Sequence, residues 1–292
     1  MKELTTQELT EWKRIITDVL REFDEICHEN NLRYFCCGGT AIGAVRHKGI
    51  IPWDDDIDVS MPRPDYDRLV EVCKKRDMGR YELVTPYNTE YYPLPFMKLC
   101  RKDTTLIEQE HIPCLIGTYI DIFPLDGTSD DVNEAARLKR RYERLWHKLE
   151  AASSTCSFSE YLSLLTKPKE WGRFATMTAA FFCRNGVRRF LLNQLDRISR
   201  QHPYETANNV IVYGGSYGAK EVMPKTFCEG ADIAMPFENI TAMMPSGYDD
   251  YLTRIYGNYM QWPPKEKQVS HHFHAVVDLT RRMTRKEALS LL

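Results

Sequence analysis

The sequence lacks several features that would assign it to a protein class at once. Its 292 residues contain no C-x-x-C pair, and its nine cysteines are an odd number. A structural zinc site and a complete set of disulfides are therefore both poorly supported. Excess charge of one sign is also missing, because 39 Lys and Arg residues oppose 41 Asp and Glu residues. This balance argues against a general nucleic-acid binder, which usually has a strongly basic domain.

Long apolar runs are absent as well. No stretch approaches the roughly 20 apolar residues that span a bilayer, and no apolar segment of a secretory signal follows Met1. Together with the unpaired thiols, this predicts a cytoplasmic protein. An apolar content of 43% and a charged content of 27% are typical of soluble globular proteins, so we expect a sizeable core rather than disorder.

The apolar periodicity predicts a mixture of helices and strands. Leu9 to Cys27 repeat apolar residues at steps of three and four, and Thr5 and Glu8 have the spacing of a capping box ahead of them. Helical patterns also cover residues 40–46, 64–73 and 248–256. The predicted strands are residues 33–37, 57–61, 81–85, 96–100, 105–107, 118–123 and 210–213, with a hairpin over 231–244.

The chain shows no repeat, low-complexity tract or linker. Residues 129–204 are poor in glycine and helical in pattern, so we interpret them as a helical elaboration of a single α+β domain that covers residues 1–292. The core of that domain would consist of residues 1–128 and 205–292, with a mixed β-sheet flanked by helices.

The most unusual stretch is CGGTAIGAVRHKGIIPWDDDIDVSMPR, residues 37–63. Asp54, Asp55, Asp56 and Asp58 repel one another, and a divalent cation is the simplest charge to offset them. On a strand, Asp56 and Asp58 point to the same face, where they could hold one or two Mg²⁺ ions. Asp121, in the strand over residues 118–123, could supply a third carboxylate.

The same stretch contains features suited to phosphate. Gly38, Gly39 and Thr40 lie between a strand and a helix, where backbone N–H groups can approach a phosphate closely. The cations that could balance phosphate charge are Arg46, His47 and Lys48, and from a neighbouring strand Lys98 and Arg101.

Each of these features has an ordinary explanation when taken alone. The glycine pair could be a turn, the acidic run a solvated loop, the basic triplet surface charge, and Lys98 and Arg101 solvent-facing strand residues. A calcium loop beginning at Asp54 is disfavoured, because its sixth and twelfth positions are Val59 and Asp65 instead of Gly and Glu. The combination, however, fits one site for phosphate and metal.

Residues 39–59 match the pattern G-T-x-x-G-A-x-R-H-x-G-x-I-P-W-D-D-D-I-D-V, which resembles the signature of the LicD family. That family includes bacterial phosphocholine transferases and is similar to the fukutin-related sugar-phosphate transferases. Further similar blocks are residues 121–126, residues 256–260, Pro263-Pro264 and His271-His272. The helical region is the least diagnostic part of the chain.

The resemblance implies a nucleotidyltransferase-type fold in which Gly38, Gly39 and Thr40 form the glycine motif. It also implies Asp56, Asp58 and Asp121 as the catalytic, metal-binding carboxylates, with Mg²⁺ or Mn²⁺ as cofactor. Trp53, Asp54, Asp55, His271 and His272 would line the site.

The reaction implied by the resemblance moves phosphocholine or a related phospho-alcohol from CDP-choline or another CDP-alcohol. The acceptor would be a hydroxyl of a cell-surface glycan, or of its lipid-linked precursor, and CMP would leave. Nucleotidyl transfer to a small molecule or a sugar is the alternative reaction. A non-catalytic binding protein is a third class, which the complete set of acidic residues disfavours. Nucleic acid is not expected as a partner.

Three further features allow alternatives. In the cluster His271, His272 and His274, His271 or His272 could line the site, or the cluster could form a polar surface turn, and its spacing is wrong for a helical zinc pair. A choline cage could draw on Tyr87, Tyr91, Tyr92 or Trp262. Residues 171–192 mix aromatic residues with arginines, which predicts either peripheral contact with an anionic membrane or, as the favoured alternative, a helical pair that faces the core.

Overall fold

The computed structural model describes residues 4–269 and 274–292. The helices are α1 Thr6–Glu29, α2 Gly38–Ile42, α3 Arg63–Lys75, α4 Val132–Ser153, α5 Phe158–Ser163, α6 Trp171–Ser199, α7 Tyr248–Tyr256 and α8 Arg285–Leu289. The strands are β1 Phe35–Cys36, β2 Asp58–Pro62, β3 Tyr81–Val84, β4 Met97–Ile107, β5 Ile116–Thr128, β6 Asn209–Ile211, β7 Met223–Pro224, β8 Ile233–Phe237, β9 Ile240–Met244 and β10 Val276–Asp278.

In the described ranges, the main sheet has eight strands and mixed direction. Its central order is β1-β2-β5-β4-β10, with β3 paired to β4 and with β6 joining β5 to β7. The pair β2–β5 is parallel and the other pairs of this sheet are antiparallel. A separate hairpin is formed by β8 and β9. The structure is therefore the mixed, α+β arrangement that the sequence predicts.

Helix α1 forms because its apolar residues share one face and its first turn is capped. Thr5 accepts a hydrogen bond from the Glu8 N–H, and the Glu8 side chain accepts one from Thr5 in return. The buried face, from Trp12 to Cys27, packs into the main core together with the sheet. The prediction for this helix is confirmed, and the helix ends at the predicted asparagine, Asn30.

The predicted elements near the site differ from the structure in two details. Helix α2 begins at Gly38, two residues earlier than predicted, and continues into a π-helical turn, Gly43–His47. The two strands predicted over 96–100 and 105–107 are one strand, β4, with a register irregularity between Arg101 and Leu106. The continuous strand arises because β5 pairs with β4 on both sides of that irregularity.

Residues 132–199 contain helices α4, α5 and α6, as the helical pattern indicates. The helices α4 and α6 share a second apolar cluster with β6, apart from the main core. The division of the chain into a core and a helical elaboration of one domain stays a prediction. No helix among the described residues is both long and apolar enough to cross a membrane.

The favoured interpretation of residues 171–192 is wrong in part. Phe181 and Phe182 are 82% and 81% exposed, and Trp171 and Phe190 are also exposed. Arg188 is instead buried, and it donates a hydrogen bond to the backbone carbonyl of Tyr92. Helix α6 has a non-helical residue at Cys183, so its two halves do not share one continuous apolar stripe.

Candidate active site

A cleft of about 570 Å³ opens where α2 begins, beside β2. Its walls include predicted site residues from the stretch that follows β1. The predicted residues that line it are Gly38, Gly39, Arg46, Trp53, Asp54, Asp56 and Asp58. The structure thus gathers the glycine motif and three of the four neighbouring acidic residues around one cavity.

The two glycines allow the backbone to contact the carboxylates. Gly38 has a φ of +58°, and a Cβ at this position would lie 3.0 Å from Oδ2 of Asp58. A Cβ on Gly39 would lie 2.5 Å from Oδ2 of Asp54. Larger residues would therefore force the acidic side chains out of place, and at Gly38 they would also strain the backbone.

The acidic run alternates as an extended chain requires. Asp54, Asp56 and Asp58 line the cleft, whereas Asp55 is buried and does not belong to the lining. The Asp55 carbonyl accepts a hydrogen bond from the indole of Trp12, 2.7 Å away. The prediction that Asp55 lines the site is therefore wrong, because successive side chains of an extended segment point to opposite sides.

Asp121 lies beside Asp58, because the two residues are register partners in the parallel pair β2–β5. The Asp121 N–H also donates to the carbonyl of Ile57 at 2.9 Å. Residues 63 positions apart in sequence thus hold their side chains on adjacent strands. The arrangement brings together the three carboxylates, Asp56, Asp58 and Asp121, that the sequence singles out.

Negative charge accumulates at this point. Burial raises the pKa of Asp58 well above its ordinary value, and the neighbouring charges of Asp56, Asp121 and Asp54 raise it further. Lys98 opposes this effect. A site whose carboxylates repel one another favours an added cation.

Lys98 is neither exposed to solvent nor free to contact phosphate, the two positions that the sequence predicts for it. Its side chain is 1% exposed, and its Nζ lies 2.8 Å from Oδ1 of Asp121 and 3.4 Å from Oε1 of Glu108. Burial lowers the pKa of Lys98, but the charges of Asp121 and Glu108 outweigh burial and leave that pKa above its ordinary value. Lys98 is therefore a buried counter-ion of Asp121 in the present arrangement.

The donor set fits a hard divalent cation bound together with substrate. Carboxylate oxygens suit Mg²⁺, which commonly uses one or two protein carboxylates plus substrate phosphates instead of a full protein cage. Among residues 4–269 and 274–292, no group of three or more His, Cys, Asp or Glu side chains is arranged as a metal site.

The basic triplet, Arg46 to Lys48, mainly contacts other parts of the protein or solvent instead of lining the cleft. Arg46 donates to the carbonyls of Tyr259 at 2.6 Å and Gln261 at 3.2 Å, so it fastens the loop after α7. His47 accepts from Arg46 Nε, and burial and then the charge of Arg46 lower the pKa of His47. Lys48 is exposed, and of the three residues only Arg46 lines the cleft.

Thr40 and Arg101, which the sequence also predicts to contact phosphate, bond to other protein groups. Thr40 is buried, and its hydroxyl oxygen accepts the N–H of Asp58 at 2.8 Å, which ties α2 to β2. Arg101 is three residues from Lys98 on β4 and forms an ion pair with Asp103. Because side chains alternate along a strand, Arg101 faces away from the side of the sheet that carries Lys98 and Asp121.

The cleft is also lined by residues to which the sequence alone assigned no role. These are chiefly Phe123, Gly214, Gly215, Tyr217, Glu221, Tyr251 and Tyr256. Lys139 of α4 donates to the carbonyls of Tyr213 and Gly215, and Glu221 accepts the N–H of Tyr217. The Gly214-Gly215 pair was a visible signal for this loop.

Aromatic rings stand at the rim of the cleft. The ring centroids of Trp53 and Trp262 are 5.6 Å apart, and His47 contacts both rings. Of the other cage candidates, Tyr92 is fully buried and Tyr91 lies under Arg184 and Arg285.

The remaining cage candidate, Tyr87, and His274 of the histidine cluster do not belong to the cleft lining. Tyr87 lines another cavity. His271 and His272 lie outside the described residues, and His274 is buried and stacks on Trp12.

Comparison with known proteins adds to this geometry. A family model described as "LicD/FKTN/FKRP, nucleotidyltransferase domain" matches residues 31–151, which contain the glycine motif, the acidic run Asp54 to Asp58, and Asp121. The lipopolysaccharide cholinephosphotransferase LicD of Haemophilus influenzae is 30% identical over 281 residues, covering 93% of this chain and 97% of that protein. The chain belongs to the LicD family. It is accordingly an enzyme of the transferase class.

Shorter similarities to two uncharacterized proteins are also present. An uncharacterized protein of Rickettsia prowazekii is 33% identical over 76 residues, which is 20% of this chain and 29% of that protein. An uncharacterized protein of Rickettsia typhi is 43% identical over 47 residues, which is 16% of this chain and 15% of that protein. The LicD family membership itself rests on the near full-length relative.

Proposed function

We propose that this protein transfers phosphocholine, or a related phospho-alcohol, from a CDP-activated donor to a hydroxyl of a cell-surface glycan or its lipid-linked precursor. The observation that carries the proposal is the row Asp54, Asp56 and Asp58 facing a cleft at the start of α2, with Asp121 in register beside it. The named LicD relative acts on lipopolysaccharide, which supports a glycan acceptor. The core would have the nucleotidyltransferase-type architecture.

Phosphoryl transfer requires positioning and charge stabilisation more than covalent help from the protein. The acceptor oxygen forms a bond to the phosphorus that carries choline, and the bond from that phosphorus to the CMP oxygen breaks. CMP leaves with the electron pair, and the hydroxyl proton passes to a carboxylate of the cleft or to water. Gly39 and Thr40 supply N–H groups of the first turn of α2 toward a phosphate oxygen.

Asp56, Asp58 and Asp121 would hold Mg²⁺, or Mn²⁺ in its place. The ion, when bound, supplies positive charge to the diphosphate of the donor. The 2.8 Å ion pair with Lys98 fixes the Asp121 carboxylate beside Asp58, where it would act as a metal ligand or as the general base. Arg46 fixes the loop that closes one side of the cleft.

Trp53 and Trp262 are suited to the alcohol part of the donor. A quaternary ammonium group binds the face of an indole ring by cation–π attraction. Trp262 is 54% exposed beside Trp53, so part of its ring is accessible. We expect Trp262→Ala to raise KM for CDP-choline, while KM for CDP-glycerol, which has no cation on its alcohol, stays within about twofold.

The cytoplasm is the proposed location. All nine cysteines are free, including the neighbouring pair Cys36 and Cys37. Unpaired thiols are typical of a reducing compartment.

A donor screen tests the proposal. The protein is incubated with Mg²⁺, a glycan acceptor and each CDP-alcohol, and CMP release and the mass of the acceptor are measured. We expect CMP release and a phospho-alcohol mass on the acceptor, and we expect Asp56→Asn and Asp58→Asn to lower the rate by at least about a hundredfold.

Asp250→Asn is the matched control, because Asp250 is an exposed carboxylate of α7 outside the cleft lining. It should keep the wild-type rate. Near-full activity of both site variants would contradict the assignment of the carboxylates. A nucleotide mass on the acceptor would instead establish nucleotidyl transfer.

A further inference from the structure

Glu221 is a buried carboxylate of the cleft that the proposed reaction does not use. The residue is 5% exposed, and it belongs to the lining of the cleft at the start of α2. Its Oε1 accepts the backbone N–H of Tyr217 at 3.0 Å, and no hydrogen bond from the described residues reaches its second oxygen, Oε2. A buried carboxylate with an unused acceptor oxygen is costly, so a ligand that donates a hydrogen bond would stabilise it.

Two glycines let the chain wrap closely around Glu221. A Cβ at Gly215 would overlap both carboxylate oxygens of Glu221. A Cβ at Gly214 would lie 3.4 Å from the ring of Phe123 on β5. The Gly214-Gly215 pair is thus required by the carboxylate on one side and by the sheet on the other.

The segment that carries Glu221 is fastened to two helices. Lys139 of α4 donates to the carbonyl of Gly215, and Lys220 donates to the carbonyl of Ile255 in α7 at 3.1 Å. Burial raises the pKa of Glu221, while its backbone hydrogen bond and the charge of Lys139 oppose this effect. Glu221 is therefore held in a fixed position with a cation nearby, which suits a hydrogen-bond acceptor in a binding site.

Tyr217 gives the same part of the cleft an accessible aromatic ring. It is 45% exposed and lines the cleft, and its ring stands edge-on to that of Tyr256 with the centroids 4.9 Å apart. Aromatic rings of this kind stack on nucleobases. A carboxylate beside such a ring can accept the exocyclic amino group of cytosine.

This pair lies within reach of a ligand held at Asp58 and Asp121. Phe123 is two residues beyond Asp121 on β5, so it points to the same face of the sheet about 7 Å along the strand. Gly214 contacts Phe123 at that point, and Phe123 and Glu221 both line the cleft. A single nucleotide is long enough to place its phosphates at the carboxylates and its base near Glu221.

We propose that Glu221 and Tyr217 form the nucleobase subsite of the cleft, in which Tyr217 stacks on a pyrimidine and Oε2 of Glu221 accepts the amino group of cytosine. Uracil carries a carbonyl oxygen at that position, so two acceptors would face each other and cytidine nucleotides are selected. The inference rests on the proposed function, because it assumes that a nucleotide-activated donor occupies the cleft. A sugar of the acceptor is the competing ligand.

Nucleotide binding in the absence of an acceptor tests the subsite separately from transfer. Isothermal titration calorimetry of the full-length protein with Mg²⁺, at about pH 8 to favour the ionised carboxylate, compares CDP with UDP. We expect the wild type to bind CDP at least roughly tenfold more tightly than UDP. Glu221→Gln should bring this ratio close to one, because its amide oxygen still accepts the Tyr217 N–H while its amide nitrogen offers uracil a donor.

Tyr217→Ala should weaken the binding of both nucleotides by about tenfold without changing their ratio, since stacking does not depend on the base. Tyr217→Phe should bind as the wild type does. Glu229→Gln is the matched control for Glu221→Gln, because Glu229 is an exposed carboxylate outside the cleft lining, and both affinities should be unchanged. Circular dichroism verifies that each variant is folded, and the wild-type ratio and Tyr217→Ala test the subsite without Glu221→Gln.

Two results would overturn the subsite. The first is a wild type that binds CDP and UDP equally. The second is a Glu221→Gln variant that keeps the wild-type ratio, and a raised KM of that variant for the glycan would then assign Glu221 to the acceptor. Failure of the proposed function has a different signature, since selective CDP binding without CMP release in the donor screen would contradict transfer and leave the subsite intact.

Discussion

Replacing Lys98 with methionine should lower the free energy of unfolding by about 3–5 kcal/mol, because it leaves two carboxylates without their shared cation. Lys98 is almost fully buried, with Nζ 2.8 Å from Asp121 and 3.4 Å from Glu108. Its ammonium also lies 3.2 Å from the ring centroid of Tyr119. Methionine fills a similar volume, so the change removes charge with little loss of packing.

The magnitude follows from the distances. At an effective dielectric constant of about 20, the attractions to Asp121 and Glu108 are roughly 6 and 5 kcal/mol. Desolvation of the three groups offsets most of this attraction in the wild type, but in the variant the carboxylates remain desolvated and unopposed. The side chain of Glu108 is 28% exposed and that of Asp121 is 14% exposed. In the variant, water therefore hydrates the unpaired carboxylate of Glu108 better than that of Asp121.

Urea denaturation followed by circular dichroism measures the effect. Lys102→Met is the control, since Lys102 is exposed on the same strand, and it should change stability by less than about 0.5 kcal/mol. The double variant Lys98→Met/Glu108→Gln should recover part of the loss. A Lys98→Met variant within about 1 kcal/mol of wild type would refute the buried counter-ion role.

Other predictions concern the ion pair between Arg63 and Asp126, the binding of Mg²⁺, and the reactivity of the thiols. Arg63→Met should cost about 3–5 kcal/mol in urea denaturation, because Arg63 bonds both oxygens of the fully buried Asp126, and a loss under about 1 kcal/mol would contradict this. In thermal unfolding, Mg²⁺ should raise the Tm of the wild type but not that of Asp58→Asn, and equal shifts would argue against Asp58 as a ligand. Under native conditions a thiol reagent should react rapidly only with Cys156 and Cys183, because these two are exposed, and more than two fast thiols would be inconsistent with the other seven, of which six are buried and Cys73 is partly buried.

Local patterns in the sequence predicted much of the fold. The capping box and apolar face of α1 and the bounds of α7 follow from neighbours within a few residues, so periodicity and caps suffice to find them. The same-face placement of Asp56 and Asp58 likewise follows from strand alternation. Alternation, applied one residue further, would also have excluded Asp55 from the cleft lining.

The partners of charged residues could not be predicted in this way. Arg63 meets Asp126, and Lys139 meets the carbonyl of Tyr213, across 63 and 74 residues of sequence. Arg46 likewise looked like a phosphate contact, but it reaches carbonyls more than 200 residues away. Such contacts depend on how the strands and helices are brought together in three dimensions.

The sequence by itself determined the LicD-like acidic motif, the mixture of helices and strands, and the lack of an apolar segment that could span a membrane. Only the tertiary structure decided which charges face the cleft, that Lys98 is buried against Asp121, and that Phe181 and Phe182 are exposed. The physical reason is range. Helix and strand periodicity report one face of one element, whereas burial and ion pairing depend on which other element covers that face.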